Sequence, residues 1–254
     1  MLERYVLDEY KMNLNAYKSK QLTRRVNSFM SRSGAKNEAD FVKMLKGDCA
    51  LSKKFKDYLT INVSEFFRNK DMFLQLEESI KKYLAPDKNS LKIWSAACSI
   101  GAEPYTLGII MDKLTPNKKH SILATDIDTT ILETAKKGIY TKNDVKNVDD
   151  YLIKKYFTVD GEKYIIKDEI KNRVTFKRHD LILDKYETGF DLIVCRNVVI
   201  YFTQEAKNKI FQKFYQAMKP GALLFIGATE NIYNYREIGF EKASTFIYRK
   251  PGGN

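Results

Sequence analysis

The spacing of apolar residues divides the chain into a helical first part and an alternating second part. Up to about residue 60, apolar positions recur every three or four residues, which is typical of amphipathic helices, and no convincing strand pattern occurs. From Leu91 onward, short apolar runs alternate with helical patterns, an order that predicts a parallel sheet with crossover helices. The sequence therefore predicts an α/β fold preceded by a helical domain.

The alternating part opens with a strand, a turn and a helix in Leu91–Tyr105. The apolar run ends before Ser99-Ile100-Gly101, and Pro104 is predicted at the first helical position, where its missing N–H costs least. Gly101 would let the backbone approach a ligand, and Glu103 lies where the helix dipole favours a carboxylate. In open α/β sheets ligands bind near such turns, although both residues also have ordinary structural explanations.

The second predicted strand, His120–Thr125, ends in two carboxylates, Asp126 and Asp128. A helix over Thr129–Lys137 follows, and Gly138 is expected to end it. Asp126 lies 25 positions after Gly101, and at about that offset an acid binds ribose hydroxyls in dinucleotide-type folds. The alternative for both carboxylates is N-capping of the next helix, and we expect one of them to do so.

The remaining pattern predicts a hairpin and four more strands. Tyr156–Val159 and Lys163–Ile166 flank Asp160-Gly161, a hairpin turn signal within an interruption over residues 139–172. The later strands are predicted at Arg173–Lys177, Phe190–Cys195, Ala222–Gly227 and Thr245–Arg249, with a helix from Thr203 through Met218 and a turn at Pro220-Gly221. Phe190–Cys195 is the most apolar and is expected at the sheet centre, and the last strand at an antiparallel edge.

Polar residues follow four of the predicted strands, and parallel strands would bring them to one crevice. They are Gly101 with Glu103, Asp126, Asp180, and Arg196 with Asn197. Neither G-x-G-x-x-G nor G-x-x-x-x-G-K-[ST] occurs, so a pyrophosphate or triphosphate ligand is not indicated. An adenosine without phosphates fits this set, and S-adenosylmethionine is such a ligand.

Composition narrows the choice of compartment and partner. The net charge of +12, from 44 basic and 32 acidic residues, favours an acidic partner. Three scattered cysteines and two histidines without metal-ligand spacing predict a reducing cytosol, no metal site, and histidines that are ordinary surface or strand-end residues. The start, MLERYVLDEYK, lacks the apolar core of a signal peptide, and no apolar run is long enough to insert into a membrane.

The segment Lys11–Lys36 contains seven basic residues and no acid. Leu22, Val26, Phe29 and Met30 would form its apolar face, and Lys18, Gln21, Arg25, Ser28 and Arg32 an adjacent polar stripe. A solvated helix face is the usual explanation of such a charge run. The absence of acids favours a docking surface, for which Lys18, Arg24, Arg25 and Arg32 are the candidates.

Five stretches together resemble the chemotaxis receptor glutamate methyltransferases of the CheR type. They are INVSEFFRN (61–69), IWSAACSIGAEPYT (93–106), ATDID (124–128), FDLIVCRNVVIYF (190–202) and KPGALLFIGATE (219–230). The resemblance implies a class I S-adenosylmethionine-dependent methyltransferase sheet of Rossmann-like type, with an all-helical N-terminal domain and a small antiparallel β-subdomain. It implies a docking domain at 1–69, a linker helix at 70–90, and a methyltransferase domain at 91–254 with the insertion at about 151–172.

The same resemblance implies a donor, an acceptor and site residues. S-adenosylmethionine would donate a methyl group to glutamate side chains on the cytoplasmic helices of chemoreceptors. By matching position, the cofactor-binding residues would be Asn62, Ser64, Arg68, Gly101, Glu103, Asp126, Asp180, Leu181, Arg196 and Asn197, with Tyr201 beside the methyl donor. Ser64 replaces a common Thr, and Asp180 a common Asn. The hairpin is shorter and poorer in glycine than in members that bind a receptor tether peptide, so we do not expect tether binding.

A glutamate acceptor, with an unperturbed pKa of about 4.3, is already ionised at neutral pH, so no general base is needed. We expect an in-line displacement in which Arg68 aligns a carboxylate of the acceptor or the cofactor and Tyr201 steers the acceptor.

Two other functions fit parts of the pattern. A nucleic-acid methyltransferase would use the basic charge, but no D/N-P-P-Y follows the fourth strand and no Pro precedes Cys195, so no nucleic-acid partner is expected. A non-catalytic S-adenosylmethionine-binding module would not need Arg68, Asn197 and Tyr201. The sequence leaves the receptor and the oligomeric state open, with a monomer as one expectation.

Overall fold

The structure, a computed structural model, describes residues 1–17, 19–60, 62, 64–85 and 90–252, and only the backbone of residues 19–21. The predicted linker residues Pro86 and Asp87, and the docking candidate Lys18, lie outside this description. The chain divides into two compact units, Met1–Asn62 with Tyr201–Lys209, and Val63–Ile200 with Ile210–Asn254. No helix among the described residues is long and apolar enough to cross a membrane.

The first unit is helical, as the periodicity predicts. Its helices are α1 (Leu2–Tyr10), α2 (Ser19–Arg32), α3 (Glu38–Gly47) and α4 (Cys49–Leu59), with a 3₁₀ turn at Leu14–Ala16. Asp48 caps α4 by accepting hydrogen bonds from the N–H groups of Ala50 and Leu51 at 2.8 and 2.9 Å. The Phe29 ring lies 5.1 Å from that of Phe55, which places the apolar face of α2 against α4.

The second unit is built on a seven-stranded sheet of order β6-β2-β1-β7-β8-β10-β9. Its strands are β1 (Lys92–Ala96), β2 (Ser121–Asp126), β6 (Val174–Arg178), β7 (Phe190–Cys195), β8 (Met218–Ile226), β9 (Glu241–Lys242) and β10 (Ile247–Arg249). The first five strands in the spatial order are parallel, and β10 pairs antiparallel with both β8 and β9. The central position of β7 and the antiparallel direction of the last strand are confirmed, although β9, and not β10, is the edge strand.

Further helices lie before, between and after the parallel strands. They are α5 (Lys70–Leu84), α6 (Ala102–Leu114), α7 (Thr129–Lys137), α8 (Asp150–Tyr156), α9 (Asp168–Lys171), α10 (Gln204–Ala217) and α11 (Tyr235–Ile238). Asp128 caps α7 by accepting from the Thr130 N–H at 2.9 Å, and Gly138 ends it at φ 66°. The sequence predicts that either Asp126 or Asp128 caps this helix, and the structure shows that Asp128 does so.

The predicted hairpin is confirmed within a separate three-stranded sheet. This small sheet has the order β3-β5-β4, with β3 at Ile139–Tyr140, β4 at Phe157–Asp160 and β5 at Lys163–Ile166. Both of its strand pairs are antiparallel. The Phe66 ring lies 4.7 Å from Tyr140 and 5.1 Å from Phe157, so the segment before α5 packs on this sheet.

Helix α5 belongs to the core of the second unit. Its buried residues Phe73, Leu76 and Ile80 form one cluster with Ile93 of β1 and Phe225 of β8. Burial of aromatic and aliphatic side chains at this density is the main favourable term in folding. The structure therefore groups this helix with the sheet.

Two local predictions are wrong. Helix α6 begins at Ala102, so Pro104 is its third residue, a position that still lacks an intrahelical acceptor for an N–H. Strand β8 begins at Met218 and passes through Pro220-Gly221, where the pairing register with β7 shifts. The histidines lie at strand ends, as predicted: His120 directly precedes β2 and His179 directly follows β6, and both are buried, at 5% and 9% exposure.

Candidate functional site

The loop that follows β1 is held in an uncommon conformation at the carboxyl end of the sheet. Ala97 and Ser99 have φ values of 65° and 51°, which non-glycine residues rarely adopt outside strained or functional sites. Backbone hydrogen bonds fix the loop: the Cys98 N–H donates to the Thr125 carbonyl at 2.8 Å, and the Ser99 N–H to Asp126 Oδ2 at 2.9 Å. The strand ends of β1 and β2 are therefore tied together at the predicted crevice.

Gly101 ends this loop, and two structural features explain the glycine. Its φ is 85°, and a Cβ there would lie 2.9 Å from the Ala135 Cβ and 3.2 Å from the Tyr140 hydroxyl. The missing side chain thus allows close packing on α7. A role for Gly101 in ligand binding stays a prediction.

Asp126 is buried at the end of β2 and clamps two backbone groups. Besides the Ser99 N–H, it accepts the Asp128 N–H on Oδ1 at 3.0 Å, and its own carbonyl accepts the His179 N–H at 2.9 Å. Burial raises the pKa of this carboxyl, although the backbone N–H groups act in the opposite direction. Asp126 therefore connects the ends of β1, β2 and β6.

Glu103 and Arg196 form a buried ion pair across the sheet. Arg196 Nη1 lies 3.7 Å from Glu103 Oε2, and the side chains are 2% and 12% exposed. The Ser95 hydroxyl of β1 donates to Glu103 Oε1 at 2.7 Å. Burial raises the pKa of Glu103, while the nearby Arg196 and Ser95 lower it. The pair joins the first turn of α6 to the end of β7.

The Arg196 guanidinium is held by several neighbouring groups, although its buried Nε has no hydrogen-bond partner among the described residues. It donates through Nη2 to the Arg68 carbonyl at 2.8 Å and to Asn69 Oδ1 at 3.1 Å. Its Cζ lies 4.9 Å from the ring centroids of both Phe73 and Phe225, a cation–π sandwich. Burial lowers the pKa of Arg196, with Glu103 acting against that shift. Arg196 therefore holds the segment that carries Arg68.

Arg68, the predicted carboxylate-aligning residue, lies half-buried in the same charge cluster. Its positive charge lowers the pKa of both Glu103 and Arg196. The segment on which it lies has positive φ at Phe67 and Asn69, 50° and 61°. Arg68, Arg196 and Glu103 thus share one electrostatic environment at the carboxyl ends of β1 and β7.

The loop that follows β7 is held by a residue for which the sequence analysis assigns no role. Glu230 is buried at 7% exposure and accepts hydrogen bonds from three backbone N–H groups. These are Val198 and Val199 on Oε1, both at 3.1 Å, and Gly227 on Oε2 at 2.7 Å. The signal available in sequence is the pair Gly227 and Glu230 inside the GATE end of the last family stretch.

Asp180 and Leu181 build a tight turn after β6. Asp180 Oδ1 accepts from the N–H groups of Ile182 and Leu183 at 2.7 and 3.2 Å, and the Asp180 N–H donates to Asp184 Oδ2. Leu181 is buried. The Asp180 carboxylate therefore has a structural function in this turn, in addition to the predicted adenine contact.

The remaining predicted residues are placed as follows. Ser64 is half-buried in the second unit, whereas Asn62 and Tyr201 are grouped with the first. Arg24 is exposed on α2, but Arg25 lies 4.5 Å over the Tyr58 ring and donates to the Tyr58 carbonyl. Arg32 also lies over that ring, at 4.9 Å. Arg25 is thus a packed residue of the first unit, and Arg24 is the freer candidate for docking.

The crevice residues fit S-adenosylmethionine better than a phosphorylated nucleotide. Two carboxylates, Asp126 and Glu103, line the strand ends where a phosphate would be repelled, and they suit hydroxyl and ammonium groups. The Ser99 hydroxyl is buried in the first loop and has no hydrogen-bond partner among the described residues, so it can bond a ligand. Within the same residues no group of His, Cys, Asp and Glu could hold a metal ion.

Comparison with known proteins agrees with this geometry. Residues 62–247 match the family model described as CheR methyltransferase, SAM binding domain, and residues 1–60 match CheR methyltransferase, all-alpha domain. The chain is 40% identical over 248 residues to a chemotaxis protein methyltransferase of Listeria innocua, covering 97% of this chain and 95% of the relative. A protein of that name from Borreliella burgdorferi is 32% identical over 260 residues, covering 96% and 92%. The chain therefore belongs to the CheR methyltransferase family and is a class I methyltransferase that uses S-adenosylmethionine.

Proposed function

We propose that this protein transfers the methyl group of S-adenosylmethionine to glutamate side chains on the cytoplasmic helices of chemoreceptors. The observation that carries the proposal is the cluster formed by the half-buried Arg68 and the buried ion pair of Arg196 and Glu103 at the carboxyl ends of β1 and β7. A guanidinium beside a carboxylate-lined crevice suits a reaction between a cationic donor and an anionic acceptor. The carboxylates attract the donor, and the guanidinium aligns a carboxylate.

The residues that would hold the cofactor are those tied together at the strand ends. Asp126 would accept ribose hydroxyls with lone pairs that its backbone partners leave free, and Glu103 would bind a polar group of the methionine part. When bound, S-adenosylmethionine supplies an electrophilic methyl group. The chain's own contribution is to orient both partners and to exclude water, which is the main source of catalysis in such a transfer.

The structure of the histidines supports a mechanism without a general base. His120 Nδ1 accepts the Leu91 N–H at 3.0 Å, and its Nε2 lies 2.8 Å from the Thr115 hydroxyl. His179 packs edge-on against Trp94, with ring centroids 5.3 Å apart. Burial lowers the pKa of both histidines. His120 is hydrogen-bonded through both ring nitrogens and His179 packs against Trp94, and a glutamate acceptor, ionised at neutral pH, needs no proton removed.

The remaining assignments rest on family position and charge. Arg68 and Tyr201 are proposed as the catalytic residues, with Asn62, Ser64, Asp180, Leu181 and Asn197 as further cofactor contacts. The exposed Arg24 supports docking of α2 on an acidic receptor bundle, an interaction that would take place in the cytoplasm. Tether binding by the small sheet is not part of the proposal.

The test is methyl transfer from radiolabelled S-adenosylmethionine to receptor cytoplasmic fragments, with bulk RNA as the competing substrate. A glutamate methyl ester releases labelled methanol in base, whereas a methylated amine or RNA base does not. We expect base-labile label in the receptor alone. Label in RNA would favour a nucleic-acid methyltransferase, and cofactor binding without any transfer would favour a non-catalytic module.

A further inference from the structure

Two residues of the loop after β8, Gly227 and Glu230, fix the position of Asn197 in the loop after β7. We call this arrangement the Asn197 seat. Asn197 has φ 59°, a left-handed conformation that asparagine tolerates better than most other non-glycine residues. An ideal Cβ on Gly227 would lie 2.9 Å from the Asn197 backbone N and 3.3 Å from its Nδ2. The Asn197 side chain therefore lies directly against the backbone of Gly227.

Glu230 fixes the same seat from the other side. Its carboxylate accepts the Val198 and Val199 N–H groups at 3.1 Å and the Gly227 N–H at 2.7 Å, and the Asn197 N–H also interacts with it. One buried side chain thus joins three successive residues after β7 to the first residue after β8. A carboxylate is the side chain that can accept so many N–H groups at once.

From this geometry we infer that Glu230 and Gly227 are positioning residues that set the Asn197 carboxamide at the methyl-donor end of the crevice. The inference rests on the proposed function, in which Asn197 borders the donor. Glu230 touches backbone groups, so it acts through Asn197 and not on the substrate. Displacing Asn197 should lower turnover, because small errors in the position of an orienting group reduce rates strongly.

Two variants disturb the seat by different routes. Glu230→Gln keeps one oxygen for Val198 and Val199 but places an NH₂ group toward an N–H donor. Gly227→Ala keeps the carboxylate and introduces a Cβ 2.7 Å from Glu230 Oε2 and 2.9 Å from the Asn197 N. Glu237→Gln, at an exposed position on α11, is the matched control for loss of one charge.

The experiment is a double-mutant cycle between Glu230→Gln and Asn197→Ala, measured as kcat at saturating S-adenosylmethionine with a receptor fragment. We expect Glu230→Gln and Gly227→Ala each to lower kcat about tenfold or more. In the Asn197→Ala background, Glu230→Gln should add less than about a twofold loss, because its effect passes through Asn197. Thermal unfolding of every variant checks that the fold is kept.

Several outcomes would overturn the inference. Independent, multiplicative losses in the cycle, or full activity of Asn197→Ala, would show that Glu230 does not act through Asn197. Unfolding of both seat variants would leave only a structural role. A wild-type protein that methylates no receptor is a different result, since it rejects the proposed function before the cycle is run.

Discussion

The loops after β1 and β7 are built on the same principle but with different consequences. Each contains a left-handed non-glycine residue, Ser99 or Asn197, and each is clamped by a buried carboxylate from the end of a neighbouring strand. Asp126 has a short side chain and binds one backbone N–H on either side. Glu230 reaches further and gathers N–H groups of two loops. Under the proposed function, the two carboxylates differ in the acceptor capacity that the backbone N–H groups leave free on each of them, and not in their burial.

The largest expected effect is at Arg68, which tests whether the two loops serve one reaction. Arg196 starts the second loop and holds the Arg68 carbonyl, while Glu103 follows the first. If Arg68 aligns a carboxylate through a planar two-pronged contact, Arg68→Lys should fail nearly as badly as Arg68→Ala, with turnover lowered about 10²-fold. Single-turnover methyl transfer measures this, and near-wild-type activity of the Lys variant would contradict the alignment.

The variants of Asp126 and Glu230 should differ in their effect on the affinity for the cofactor product. Asp126→Ala removes the proposed ribose acceptor and should weaken S-adenosylhomocysteine binding about 10- to 100-fold, the range expected for a lost charged hydrogen bond. It should also lower the free energy of unfolding by about 1–3 kcal/mol, because the Ser99 and Asp128 N–H groups lose their acceptor. Glu230→Gln should weaken the affinity less, by no more than about threefold, because it displaces Asn197 without removing a group that contacts the cofactor. Calorimetric titration measures these affinities. Equal losses of affinity in both variants would contradict the different roles proposed for Asp126 and Glu230.

Two neighbouring arginines of helix α2 allow a comparison outside the crevice, because Arg24 is exposed whereas Arg25 packs on Tyr58. Arg24→Glu should raise the apparent KM for receptor about threefold to tenfold, with cofactor affinity and stability unchanged. Arg25→Glu should instead lower the melting temperature, because it loses the stacking on Tyr58 and the bond to its carbonyl. Receptor binding should weaken as salt rises, since the Debye length is about 8 Å at physiological ionic strength. Receptor binding that does not depend on salt would indicate that the basic residues of α2 form an ordinary solvated helix face and not a docking surface.

The smallest expected effect is that of pH on activity. A glutamate acceptor is ionised throughout pH 6–9, so kcat should stay flat in that range. Stability should behave differently: burial depresses the pKa of His120 and His179 below 6.5, so the unfolded chain binds more protons and stability is lost as pH falls below 6.5. A pH–rate profile and melting curves measure the two quantities. A steep rise in kcat near pH 6.5 would indicate a histidine base.

Much of the crevice could be predicted because a parallel sheet brings successive strand ends together. The offset between Gly101 and Asp126 follows from that periodicity, whereas the structure was needed to show that Asp128 is the cap. The role of Glu230 could not be predicted, because its partners Val198 and Val199 are backbone groups about thirty positions earlier that leave no residue-type signal. Nor does charge spacing reveal that Arg25 stacks on Tyr58 across two helices.

The most direct test of the proposed reaction is to identify the methylated residue. A receptor cytoplasmic fragment is incubated with the protein and S-adenosylmethionine, digested, and sequenced by tandem mass spectrometry before and after mild alkali. We expect the added methyl groups on glutamate side chains and their loss in alkali. Methyl groups on lysine or the N-terminus that survive alkali, or no methylation by a protein that binds the cofactor, would contradict the account.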